Sequence, residues 1–143
     1  MNYQEYQFPD ELYYDKNHGW IRVEGDVATQ GVNDFASKTS GEIVYAEVPR
    51  VGRTVEQGKP FMSMESGKWV GRIHALVSGT IIEANEELEW DATIINKSPY
   101  GDGWLAKIEC SDLSELDNLL RTSVPEFLDF VKEEEKKWGE AAK

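Results

Sequence analysis

From Trp20 onward the chain alternates apolar and polar positions with a period of two, the pattern of a strand with one buried face. Trp20-Ile21-Arg22-Val23-Glu24 runs into Gly25-Asp26, and Val27-Ala28-Thr29-Gln30-Gly31-Val32 resumes after it. Two such runs around a glycine-containing pair predict a tight hairpin. Asn33 or Asp34 then offers a side-chain oxygen to the open N–H groups of a short helix over Phe35 to Lys38, ending near Ser40-Gly41. Glu42 to Val48 returns to a strand, with Ile43, Tyr45 and Glu47 on one face and Val44, Ala46 and Val48 on the other. Pro49 lacks the N–H that a sheet needs and ends it.

Two later segments share one form: a glycine turn, β-branched positions, then a polar turn. They are Val51 to Phe61 and Val77 to Asn85, and their placement predicts two related sheet halves with residues 62 to 76 between them. That intervening stretch contains Met62-Ser63-Met64-Glu65-Ser66-Gly67-Lys68-Trp69-Val70-Gly71. Gly67 permits the positive φ that tight hairpins often need, which predicts Lys68 at an exposed tip. Short strands at such close spacing predict a small sandwich or barrel.

The C-terminal part changes period. After the turn cluster Ser98-Pro99-Tyr100-Gly101-Asp102-Gly103, Trp104 to Ile108 reads as a last strand. Ser111 is expected to cap a helix over Asp112 to Leu120, with Leu113, Leu116, Leu119 and Leu120 as its apolar stripe. Ser123 and Pro125 open a second helix whose Phe127, Leu128 and Val131 share a face. Glu126 and Asp129 near its start and Lys136-Lys137 near its end suit the helix dipole. Gly139 to Lys143 is expected to fray. The expectation is a mainly β single domain over residues 1–143, with its core over about 10–109 and C-terminal helices over about 111–138.

Composition narrows the function classes. The net charge is −12, from 15 basic and 27 acidic residues. That field opposes nucleic-acid phosphates and anionic membranes and favours basic protein partners. Cys110 is the single cysteine, so no intrachain disulfide forms, and it reads as a small apolar residue ending a strand. The first residues lack the basic and apolar regions of a secretory signal, and no apolar run is long enough to span a bilayer. A monomeric cytoplasmic protein is expected.

Most catalytic patterns are missing. Gly67-Lys68 lacks the upstream glycine and following Ser or Thr of a phosphate-binding loop. His18 and His74 show no metal-ligand spacing, and no nucleophile elbow supports a catalytic triad. Lys68 remains, with three readings: a surface lysine in a turn, a Schiff-base lysine, and an amine acylated by a carboxylic cofactor. A Schiff base needs a desolvated amine, and the polar Ser66-Gly67 approach argues against burial. Acylation needs an exposed amine on a rigid protruding turn.

Several ordered motifs resemble the glycine cleavage H-proteins. They include Leu12-Tyr13-Tyr14, His18-Gly19-Trp20-Ile21-Arg22-Val23-Glu24-Gly25-Asp26, Val27-Ala28-Thr29 and Gly31-Val32-Asn33-Asp34-Phe35-Ala36. Gly41-Glu42-Ile43-Val44, Val51-Gly52, Glu65-Ser66-Gly67-Lys68, Ser78-Gly79, Asn85-Glu86 and Ser98 to Leu105 continue the likeness in order. The resemblance implies a barrel-sandwich hybrid of the lipoyl/biotinyl type. It also implies covalent lipoate on Lys68, with Glu65, Ser66, Gly67 and Trp69 as hairpin neighbours. Such a protein is not itself an enzyme; it presents a dithiolane on a swinging arm to partner enzymes. Lipoate ligase or other attachment machinery is then a partner. Biotin fits less well, because biotin carriers flank their lysine with methionines and this chain has Gly67 and Trp69.

The departures bear on the pathway. Typical family members carry Val before the lysine, Ala after it, and Glu between the early His and Trp; here Gly67, Trp69 and Gly19 stand there. The run Glu65 to Gly71 is similar to H-like lipoate-binding proteins of heterodisulfide-reductase-like sulfur oxidation. That likeness implies a heterodisulfide-reductase-like complex and sulfur-transfer proteins as partners, the leading expectation. Aminomethyl shuttling among glycine cleavage enzymes is the alternative, and a non-lipoylated interaction module is the alternative of another class. Trp69 would shield the arm, dock a partner, or simply pack on its strand.

Overall fold

The computed structural model describes residues 1–138. Its strands are β1 (Asn2–Tyr3), β2 (Tyr6–Gln7), β3 (Tyr13–Tyr14), β4 (Gly19–Glu24), β5 (Val27–Val32), β6 (Ile43–Ala46), β7 (Thr54–Val55), β8 (Pro60–Ser66), β9 (Val70–His74), β10 (Gly79–Ala84) and β11 (Ala106–Cys110). Helices α1 (Asp34–Thr39), α2 (Ile94–Lys97) and α3 (Pro125–Trp138) are joined by two 3-10 turns, Glu86–Glu89 and Leu113–Asn118. One antiparallel sheet has the order β3-β4-β5-β11-β10-β7, and a second has the order β6-β8-β9. The two sheets enclose a common core containing Ile21, Ile43, Met62, Met64, Leu76, Ile81 and Ile108. This is the barrel-sandwich hybrid.

The first hairpin forms as its alternation predicts. Glu24 pairs with Val27, and Gly25 takes φ +66° in the two-residue turn. Asn33 is the cap of α1, its Oδ1 accepting from the Ala36 N–H at 2.8 Å. The two similar segments meet in one sheet, where β7 pairs with β10 through Thr54–Thr80 and Val55–Gly79. The chain between them crosses to the other sheet to build the β8–β9 hairpin. Gln30 ties that crossing down from the buried side: its Nε2 donates to the His74 carbonyl at 2.8 Å, and its Oε1 accepts from the Leu76 N–H at 3.0 Å.

Two expectations need correction. The two faces expected for the strand after α1 do not persist: the pairing of β6 with β8 shifts between Ile43 and Tyr45. Ile43 and Ala46 are therefore both buried, while Val44 and Tyr45 both face out. The helix expected over Asp112 to Leu120 is only the 3-10 turn Leu113–Asn118, and its cap is Asp112, not Ser111. Asp112 Oδ1 accepts from the Ser114 N–H at 3.0 Å. Leu120 is drawn away to bridge Tyr14, exchanging backbone hydrogen bonds of 2.7 and 2.8 Å, and Leu113 is left exposed. A pairing this distant in sequence overrides the apolar stripe.

A second apolar cluster lies outside the sheet core. Tyr6, Phe8, Leu12, Tyr14, Trp20 and Phe35 pack with Phe127 and Val131 of α3. The Phe127 ring centre lies 5.1 Å from Phe8 and 4.9 Å from Tyr14. Leu128 of the expected face is half-buried. Gly139 to Lys143 lies outside the described residues. Among the described residues, no helix is long and apolar enough to cross a membrane.

Candidate functional site

Lys68 stands in the loop between β8 and β9, exposed beside the end of α1. The turn is closed by the Ser66 N–H donating to the Trp69 carbonyl at 2.8 Å. Ser66 does more than flank the lysine. Its side chain is nearly buried, its Oγ donates to the Ser40 carbonyl at 2.6 Å, and it accepts from the Lys68 N–H at 3.1 Å. One hydroxyl thus pins the tip of the hairpin to the C-cap of α1.

Gly41 supplies the floor. It sits at φ +80°, and a Cβ there would lie 3.5 Å from Lys68 Cδ and Cε, so the lysine stem runs along a bare backbone. Asn96 of α2 fixes that backbone: its Nδ2 donates to the carbonyls of Ser37 and Gly41, each at 2.9 Å, and its Oδ1 accepts from the Ile43 N–H at 2.8 Å. Ser40, Gly41 and Asn96 were not legible as site residues. Gly41 signalled only a helix end, and Asn96 lies far from Lys68 in sequence. A tied-down base with an exposed lysine fits an acylated residue, whereas a Schiff-base site would need to bury the amine.

The other expected neighbours divide. Glu65 pairs with Val70 across the hairpin and is half-buried. Gly67 does not take a positive φ, contrary to the turn reading, and a Cβ at this position meets nothing within 4 Å. The Ser66 N–H to Trp69 carbonyl bond encloses only Gly67 and Lys68, and the tip closes without the left-handed backbone that would require glycine. Trp69 is 38% exposed and folds back over the start of β9, where a Cβ at Gly71 would overlap its indole ring. The indole therefore packs over Gly71 on β9. Met62 and Met64 are core residues.

Gly19 is also filled by its surroundings. A Cβ there would come within 2.5 Å of Leu76 Cδ1 and 3.2 Å of Asp15 Oδ1. The Asp15 carboxylate accepts from the Gly19 N–H at 2.8 Å, yet burial raises its pKa. His18 is held between Phe35 and Phe130, and its Nε2 lies 2.7 Å from Glu134 Oε1. Burial lowers the imidazole pKa against the pull of Glu134. Burial likewise raises the Cys110 thiol, with Asp26 and Glu115 adding to the shift. Among the described residues, no group of three or more His, Cys, Asp or Glu is arranged to hold a metal.

A lysine hairpin on a barrel-sandwich hybrid defines the lipoyl/biotinyl class of carrier domain. Within that class the relationship is specific. The glycine cleavage H-protein family model matches residues 12–134. The glycine cleavage system H protein of Geobacillus thermodenitrificans is 48% identical over 112 residues, covering 78% of this chain and 88% of the relative. That of Halalkalibacterium halodurans is 42% identical over 126 residues, covering 88% and 97%. A crystal structure of a glycine cleavage system H protein from Mycobacterium marinum superposes with a TM-score of 0.75 at 29% identity, covering 89% of this chain and 98% of that one. The chain belongs to the glycine cleavage H-protein family, whose members carry lipoate covalently on a lysine.

Proposed function

We propose that Lys68 is the lipoyl attachment residue and that the chain is the shuttle of a glycine cleavage system, carrying the aminomethyl group between its partner enzymes. The observation that carries the attachment site is the Ser66 bridge, which fixes the backbone under an exposed lysine whose stem runs along Gly41. Attached in amide linkage to Nζ, the lipoyl group supplies a dithiolane that bonds cargo reversibly. The protein's own part is positional. Ser66, Gly41 and Asn96 hold the arm's base, and the domain keeps it at a high effective concentration for each partner.

The relatives support aminomethyl cargo over the sulfur cargo that leads in the sequence reading, because the curated H-proteins above bear the glycine cleavage name. Sulfur carriage stays as a second reading on one observation. Gly67, Trp69 and Gly19 depart from the typical family pattern, and Trp69 packs over Gly71 beside the lysine. Intact-mass analysis of the protein from its own host, beside Lys68→Ala, tests the attachment. A lipoyl mass increment in the wild type alone is expected, and an unmodified wild type refutes the carrier site. Aminomethyl transfer with glycine decarboxylase tests the pathway. Failure there, with activity alongside a heterodisulfide-reductase-like complex, would select sulfur cargo.

A further inference from the structure

The negative charge of this chain is unevenly spread. Residues 50–72 hold Arg50, Arg53, Lys59, Lys68 and Arg72 against Glu56 and Glu65, a net +3 that leaves −15 on the rest. Folding gathers two of these cations along the strands of the β8–β9 hairpin, back from the Lys68 tip. Arg53 Nη1 donates to the Phe61 carbonyl at 2.7 Å, which holds the guanidinium against the start of β8. Arg72 is exposed on β9, opposite Ser63.

Both arginines line one open depression of about 220 Å³, with Pro60, Phe61, Met62, Ser63 and Glu47. Glu47 is already engaged, accepting from the Ser63 N–H at 3.0 Å. Among the described residues neither arginine forms an ion pair. Val70, 72% exposed, shares the Arg72 face of β9, since alternate strand residues point the same way. The result is an open surface with two unneutralised guanidinium forks on the sheet that carries Lys68.

We propose that this face docks the enzyme that acylates Lys68, through a carboxylate-bearing loop of that enzyme seated between Arg53 and Arg72. The inference rests on Lys68 being the lipoyl site. Guanidinium forks match carboxylates in shape and hydrogen bonding. The overall −12 charge repels extended polyanions, so recognition falls to a few carboxylates at short range. The same asymmetry steers the hairpin face toward a negatively charged partner surface during approach. At this face the partner's charge is therefore opposite in sign to the one the whole-chain charge suggests.

The test follows lipoyl mass gain on the full chain with purified lipoate–protein ligase, lipoate and ATP, at low and high salt. Arg72→Glu should raise KM for the carrier about tenfold, with kcat unchanged and a weaker salt dependence. Arg72→Lys should restore part of the loss. Lys132→Glu, an equal charge change on exposed α3, should leave KM within about twofold. Circular dichroism checks that each variant is folded. Equal KM values for Arg72→Glu and Lys132→Glu, with the wild type acylated, overturn the docking face alone. A wild type that gains no mass overturns the Lys68 reading and the docking face with it.

Discussion

Replacing Ser66 by Ala separates the hairpin's anchor from the lysine it carries. The substitution removes one oxygen and leaves the chain's course unchanged. With it go a 2.6 Å bond to the Ser40 carbonyl and a 3.1 Å bond from the Lys68 N–H. Ser66 is only 8% exposed, so water does not readily replace the lost donor at Ser40. A buried group left without its partner costs about 1–3 kcal/mol. The Lys68 N–H sits at an exposed tip and recovers a bond to water, which places the expected loss at about 1–2 kcal/mol. At about 2–4 °C per kcal/mol for a chain of this size, the melting temperature should fall by roughly 2–8 °C. Calorimetry measures that shift, and hydrogen exchange should quicken at residues 66–70. Ser63→Ala is the control, since its hydroxyl only reaches Glu47 at 3.5 Å; its effect should stay within about 0.5 kcal/mol. A Ser66→Ala protein with wild-type melting and unchanged exchange at Lys68 would refute the anchor.

Two further outcomes concern the aromatic cluster under α3. Phe127→Ala should lose about 3–5 kcal/mol in urea unfolding, because Phe8 and Tyr14 are left facing a cavity; a loss below about 1 kcal/mol would mean that α3 is not anchored there. His18 should make stability depend on pH. Its folded pKa lies below that of the unfolded chain, so the unfolded state takes up the proton first as pH falls. Its stabilising contribution is complete above the ordinary imidazole pKa and is lost as pH falls from there through the depressed folded value. His18→Gln should flatten the stability curve across that window, and a mutant that keeps the wild-type slope would refute the assignment.

Local signals read well where the determining groups are neighbours in the chain. Gly25-Asp26 between two alternating runs gives a hairpin, and Asn33 before Phe35 gives a capped helix. The lysine tip was legible for the same reason, as was its family pattern. What escaped depends on distant partners. Leu120 joins Tyr14 in place of ending a helix, and a shifted pairing turns Val44 and Tyr45 out together. The N-terminal ribbon of β1 and β2 makes sense only once Tyr6 and Phe8 meet Phe35 and Phe127. Asn96 likewise acts at the site through carbonyls more than fifty residues away in the chain. Gly67 shows the opposite error, since the tip leaves room for a side chain that the turn rules discourage.

The close fit of Leu76 beside Gly19 constrains how this chain can change. A glutamate introduced at position 19 would meet the Leu76 methyl at its first side-chain carbon, and Leu76 is itself buried. Trimming Leu76 first would open a cavity costing about 2–5 kcal/mol. Each single step therefore lowers stability. The interior beside position 19 acts as a lock on that position: a side chain larger than glycine enters only if the leucine opposite is shortened or swings aside.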